Sequence, residues 1–439
     1  YDGSGNNLTM TLKGNHDVEF PYANAKISGS ASSTGSFGRL HVNGGVLKLD
    51  ANSRISLSNN DLGLYSTIFG NDVGDPVSGQ DHCTFIGHNV AATGTMTNAA
   101  DGNTGIGAWV LNDLSIGFSN TGVGVDAFAK LTTGNNSTAL GAYALDKSTI
   151  GVANTAVGTT ALTDEVLGNG TTAVGYAALF KQAMDGTNEW SHNTGLGGYA
   201  GYYNVTGLSN TYIGFEAGFG ASGQSNSYNV GVGADALHVI TTGGYNVAIG
   251  ISAGENLTTT AETVFIGAYA GDAVSATATG LDGTIGIGTN ALGSLLNGAR
   301  NLAIGYRALY HTDTGTDNIA IGYKALSDQD VGGSGHAADS DHNIAIGSNA
   351  MGGAWLDAKS EYNIAIGSNV MQGAMNGALE NTALGYSALN ALTTGDENVA
   401  IGSGAGQVLV GGGGNVFVGR YAGNQTTAAS NVVAIGLQA

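Results

Sequence analysis

Polar and apolar positions alternate over five-residue stretches that recur along most of the chain. Asn363-Ile364-Ala365-Ile366-Gly367 has the pattern of Asn246-Val247-Ala248-Ile249-Gly250, Asn318-Ile319-Ala320-Ile321-Gly322, Asn343-Ile344-Ala345-Ile346-Gly347 and Asn398-Val399-Ala400-Ile401-Gly402. Asn, Ala and Gly fall on one side and Ile or Val on the other, a period of two that marks a strand rather than a helix. The fuller motif is N-x-A-h-G-x-x-A-(L/G), with h apolar. It recurs 21 times, with its glycine running from Gly70 to Gly436. Of the 20 intervals, 13 are 17 residues long and the others 18 to 25. A period that only gains residues is one structural unit with insertions in its loops.

One such unit cannot bury its apolar face alone, whereas stacked units can. The pattern predicts an all-β parallel solenoid of about 21 coils with a 17-residue base period over residues 63–439. With strands about 4.7 Å apart, the stack is on the order of 100 Å long. A second, weaker strand is expected on the return, at Leu131–Gly134 and Leu392–Gly395. Four residues before the glycine, Asn stands in 14 of 21 copies, with Ser66, Ser137, Thr171, Thr263, Thr284, Cys83 and Val432 in the others. Stacked in register, Asn246, Asn318, Asn343, Asn363 and Asn398 would belong to a structural ladder of side-chain amides. The glycine marks a tight bend or a close backbone approach.

Residues 1–62 do not carry the motif. Leu8–Leu12 and Gly45–Asp50 read as short strands there, in a β-rich connector or cap for the open edge of the first coil. Composition agrees with the repeat: Gly is 75 of 439 residues, and the two prolines, Pro21 and Pro76, precede the third copy. A stack of paired strands has no place for a residue without an N–H. The net charge of −20 argues against binding nucleic acid, which needs a basic footprint. It suits acidic loops that keep an apolar-cored rod in solution. The lone Cys83 sits in the Asn slot as a small filler. No run of 18 apolar residues or lipidation motif predicts membrane insertion. The start at Tyr1 without Met and the end inside a repeat leave open whether the chain is processed or truncated.

Candidate chemistry is sparse. Trp190 and Trp355 fall in insertions, the first beside Asn188, Glu189 and His192, the second beside Asp357 and Lys359. Trp190, His192, Trp355 and Lys359 are the candidate receptor contacts, against the simpler reading that each Trp packs its loop onto the rod. Gly218–Gly223 matches G-x-G-x-x-G but lacks the strand–turn–helix setting that gives the motif meaning. Asp339-Ser340-Asp341-His342, and Asp313 with Asp317, hold ligand-type residues without a calcium-loop pattern, so no metal or cofactor is assigned. Asp164-Glu165 and Asp396-Glu397 are adjacent carboxylates that would point apart on a strand. No H-E-x-x-H or G-x-S-x-G occurs, so no catalytic residue and no enzyme is expected.

The motif, as in Asn398 to Ala405, resembles the head repeats of YadA-like trimeric autotransporter adhesins, over about 85% of the chain. The resemblance implies a left-handed parallel β-roll, trimeric and extracellular, at a fibre tip. The 17-residue period is longer than that family's common repeat, and neither a heptad stalk nor a membrane-barrel anchor is present. The same repeats occur in bacteriophage tail fibres. Ile27 to Val42 looks like connector segments of such fibres, and an abrupt end suits loss of a self-cleaving chaperone.

The motif strand has two faces, and both look unfit for water. One must fill the coil and the other pack on partner chains, intertwined or side by side in a homotrimer; the pattern leaves open which face does which. The expected function is a structural and adhesive phage tail fibre, on the virion and extracellular. Its partners would be a host cell-surface glycan or protein receptor and, through the N-terminal region, other fibre or baseplate proteins. A bacterial adhesin head at the cell surface and a polysaccharide-degrading tailspike are the alternatives.

Overall fold

The computed structural model describes residues 66–74, 81–184, 189–272, 280–311, 314–327, 340–355 and 358–439. The expected connector, residues 1–62, lies outside them. Every coil contributes one short strand, from β1 (Thr67–Asn71) to β21 (Val433–Ile435). The 21 strands form one sheet. Each pairs in parallel with its successor, in register: Ala345 faces Ala365, and Ala383 faces Ala400. Thr, Val or Ile flanks the centre of every strand on at least one side, where a branched β-carbon suits the pleat. There is no helix among the described residues, and none long and apolar enough to cross a membrane. The chain is a parallel β-solenoid with a 17-residue period.

The interior is the Asn/Ala side. Strand-centre residues such as Ala139, Ala156, Ala248 and Ala400 are fully buried, as are Asn246, Asn318, Asn343, Asn363 and Asn398. The Ile/Val side points outward. The residue before the motif glycine is apolar in every strand and fully buried in none. Volume decides this: a narrow coil takes Ala and Asn, and an Ile at each strand centre would overfill it.

The expected second strand is absent among the described residues. A run of turns with left-handed residues returns the chain instead: Tyr143, Leu145 and Ala153 have φ of 60°, 50° and 58°. This conformation costs an L-residue roughly 1–2 kcal/mol. It turns each of these amides toward an adjacent coil. Tyr143 N–H donates to the Val125 carbonyl at 2.8 Å, Leu145 N–H to Ala161 at 3.1 Å and Ala153 N–H to Asn135 at 3.0 Å. The buried Leu145 side chain supplies further compensation. The expected return segment is bonded in the same way, with Thr132 N–H donating to Thr149 O at 2.8 Å.

The motif glycines have φ near +135°, and each stacks on the next. A β-carbon on Gly250 would lie 2.5 Å from the Gly267 carbonyl oxygen, and one on Gly107 1.7 Å from that of Gly124. The close approach read from the sequence is therefore a backbone-on-backbone contact.

The Asn file differs in detail from a pure amide ladder. Each Asn oxygen chiefly accepts the backbone N–H of the next slot, and each side-chain NH2 reaches a carbonyl of the following coil. Asn246 Oδ1 accepts from Thr263 N at 3.1 Å and Thr263 Oγ1 at 2.7 Å, and Asn246 Nδ2 donates to Thr260 O at 2.8 Å. Asn343 N donates to Asn318 Oδ1 at 2.9 Å and Asn363 N to Asn343 Oδ1 at 3.1 Å. Asn398 Nδ2 donates to Gly412 O at 3.0 Å. Amide-to-amide bonds, such as Asn363 Nδ2 to Asn343 Oδ1 at 3.2 Å, are added on top. Cys83 fills its slot fully buried, its thiol donating to Ala100 O at 3.3 Å, and burial pushes its pKa up.

Two further columns shape the core. Four residues after the motif glycine stands Leu or Gly in most coils, with Ala91, Phe128, Met351 and Met371 in the others. Gly218, Gly271 and Gly423 follow three of the four strand-centre aromatics, Tyr212, Phe265 and Phe417, and a β-carbon on any of them would strike that ring within 2.7 Å; the fourth, Phe85, is followed by the small Ala91. Small therefore answers large within one coil. Seven residues after the glycine, buried Leu114 and Leu131 give way to Ser148, Glu165, Gln182 and Asn204 before Ile240 and Leu257 restore an apolar file. The apolar core falls into two clusters, one from Cys83 to Leu179 and one from Ala200 to Ala422, and the break lies between the coils that carry Gln182 and Asn204. Glu165 Oε1 accepts from Gly168 N at 2.6 Å and Leu167 N at 3.2 Å, and Glu165 Oε2 accepts from Gln182 Nε2 at 3.1 Å. Asp164, its neighbour, points outward to Lys147 at 2.6 Å and Lys181 at 2.9 Å. The two carboxylates lie apart and form no acid/base pair.

Candidate functional site

The structure keeps half of the expected contact set together. Trp190 is 49% exposed, forms a parallel bridge with Asn169 and lies over Gly170, where a β-carbon would come within 2.5 Å of its ring. Its indole stacks on exposed His192 with centroids 5.8 Å apart. Asn188 and Asp357 lie outside the described residues. Trp355 is the correction. It is only 2% exposed, so its ring packs the interior and offers no face to a receptor. Its Nε1 has no hydrogen-bond partner among the described residues. Burying the largest side chain beats exposing it, even at the cost of an unmet N–H. Lys359 remains outside with its ammonium 3.6 Å from Glu361. The exposed Trp109, edge-on to His88 at 5.6 Å, had no insertion to draw attention to it.

The acidic stretches are engaged in local bonds. Asp317 takes a two-pronged bond from Arg300, at 2.7 and 2.6 Å. The Arg300 guanidinium holds its carboxyl below the usual range. Asp341 accepts from Thr316 N at 2.6 Å, and His342 stacks on Tyr362 at 4.9 Å. Asp313 and Asp339 lie outside the described residues.

A larger aromatic surface was not anticipated. Five residues after the motif glycine, four successive coils present Phe180, Tyr202, Phe219 and His238. Their rings stack at 5.2, 5.3 and 5.3 Å with planes 5°, 15° and 23° apart. Tyr199 joins edge-on, 5.2 Å from the exposed Tyr176 and 6.1 Å from the exposed Phe215. Lys181 lies over Phe180 at 4.7 Å while bonded to Asp164. Burial raises the Tyr202 pKa and Tyr203 adds to the effect, so its hydroxyl is a neutral donor at physiological pH. Apolar ring surface beside hydroxyls and one cation offers both contact area and hydrogen bonds to a ligand. The signal was present in the sequence: aligned on the glycine, these four residues share one column despite intervals of 22, 17 and 19 residues.

No protein-family model matches the chain, and no curated protein matches its sequence.

Proposed function

We propose that the chain is the rod of a homotrimeric structural and adhesive fibre, most like a phage tail fibre, which holds contact loops and the aromatic surface against a host cell-surface receptor. One observation carries this reading: the residue before the motif glycine is apolar in every strand and faces out of the coil. Ile366, Leu384 and Ile401, in three successive coils, are at least 36% exposed. A strand face about 10 Å wide over about 100 Å gives on the order of 1,000 Å² per chain, against about 800 Å² per partner in a stable interface. Further copies of the same chain match such a face coil by coil, because they share its period, and closed rotation limits sideways growth. Three copies of each contact residue then raise avidity without any new contact. Trp190, His192, Lys359 and the Tyr176–Tyr202–Phe219 surface are the proposed contacts, and the N-terminal region is the proposed link to other fibre or baseplate proteins. The role is structural and adhesive rather than catalytic.

Sedimentation equilibrium of the full chain tests the assembly: three-chain mass is expected, and loss of that mass in an Ile366→Asp, Leu384→Asp, Ile401→Asp triple variant. A wild-type monomer overturns it. Binding to immobilised bacterial surface polysaccharides, weakened by Trp190→Ala or Tyr202→Ala, tests the adhesive half. Release of oligosaccharide from the same polysaccharides would instead favour a degrading spike.

A further inference from the structure

We infer that Glu216, Asp235 and His238 form a site for a first-row divalent transition-metal ion that clamps two successive coils. Glu216 stands two residues after Gly214. Asp235 and His238 stand two and five residues after Gly233, one coil on. One ligand atom of each lies within 4.8 Å of the other two. The solenoid itself makes the cluster. Glu216 and Asp235 occupy the same left-handed corner, with φ of 54° and 58°, and Asp235 N–H bonds back to the Phe215 carbonyl at 3.0 Å, which sets one carboxylate above the other. His238 is held by its stack on Phe219, centroids 5.3 Å apart, with Nε2 3.1 Å from Glu216 Oε2.

Glu216 and Asp235 bring two carboxylates to one imidazole, which when protonated offsets only one of them. Elsewhere in the solenoid Asp113, Asp164 and Asp317 each have a Lys or Arg partner. Among the described residues, no Lys or Arg pairs with Glu216 or Asp235. A divalent ion with two carboxylates and neutral imidazole is electrically balanced. The donor set also selects the ion: one nitrogen with carboxylate oxygens suits Zn²⁺ or its neighbours, whereas Ca²⁺ and Mg²⁺ prefer oxygen alone. Only three protein donors converge, so water would complete the sphere.

The test is calorimetric titration of the full chain, first stripped with EDTA, using zinc chloride and, separately, calcium chloride. One zinc per chain is expected above any weak background. Glu216→Gln and His238→Ala should each weaken it at least about tenfold, with calcium bound far more weakly. Glu216→Gln keeps size and hydrogen bonding, so lost binding with an unchanged circular dichroism spectrum reads the site and not the fold. X-ray absorption of the zinc complex should show a single imidazole among oxygens. Zinc binding unaltered in both variants, a shell of several imidazoles from scattered histidines, or calcium bound as tightly as zinc would each overturn the assignment.

Discussion

Replacing Asn246 by Ala probes the buried file directly. Asn246 is fully buried. Its loss leaves Thr263 N–H and Thr260 C=O without the partners they have at 3.1 and 2.8 Å. Two buried backbone groups at about 1–3 kcal/mol each give ~2–6 kcal/mol. The Thr263 hydroxyl, 2.7 Å from Asn246 Oδ1, can rotate away and is left out of the sum. In a stack whose coils touch only their neighbours, this cost falls locally. The assay is therefore hydrogen exchange read by mass spectrometry, peptide by peptide, rather than one melting temperature. Exchange around Val247–Ile249 and Val264–Ile266 should accelerate roughly 30-fold or more, at tenfold per 1.4 kcal/mol, with distant coils unchanged. Asn246→Ser should fall between. Where hydroxyls fill this slot, Ser137 Oγ accepts Asn154 N–H at 3.0 Å and Thr284 Oγ1 donates to Gly298 O at 3.2 Å, one bond of the pair in each case. Equal rates for wild type and Asn246→Ala, or a uniform change along the whole chain, would refute the reasoning.

Gly250→Ala, whose methyl would sit 2.5 Å from a carbonyl oxygen of the next coil, should abolish soluble folded protein. Gly223→Ala, with nothing within 4 Å, should still yield it despite its φ of 76°; expression and circular dichroism compare the two. Gly218→Leu should lower the melting temperature, because its β-carbon would lie 2.3 Å from the Tyr212 ring. Adding Tyr212→Ala should restore part of the loss by recreating the Ala/Leu pairing of coils such as that of Ala139 and Leu145. Burial raises the Glu165 carboxyl above its ordinary 4.5, and bonds from Gly168 N–H and Gln182 offset this only in part. A raised folded-state pKa gives stability that is full below the ordinary value and is lost as pH rises through the folded one. Hydrogen exchange around Thr155–Val157 and Thr172–Val174 should therefore slow as pH falls from 7 toward 5, after correction for intrinsic rates. Glu165→Gln should remove that dependence, and the opposite slope in wild type would contradict it.

Periodicity alone determined much of this molecule. The 17-residue spacing set the coil, the alternation set the strand, and the Asn, Ala and Gly columns set what stacks on what. Each is a local constraint repeated along the chain. The choice of inner face was not readable, because alternation says which residues share a side and is silent on which side meets solvent when both lack charge. Only the tertiary structure settled it, through the volume one coil can enclose. The return path was misread for a related reason. Tyr143 and Leu145 adopt left-handed conformations that their own propensities disfavour, and only hydrogen bonds from neighbouring coils make these acceptable. Trp190 and Trp355 looked alike in sequence and differ in exposure because burial belongs to the packed layer around an insertion. The polar layer at Glu165 and the ring stack at Phe219 were visible once columns were aligned. The meeting of Glu216 with His238 required a coil to close and bring residues 22 apart in sequence within 3.1 Å.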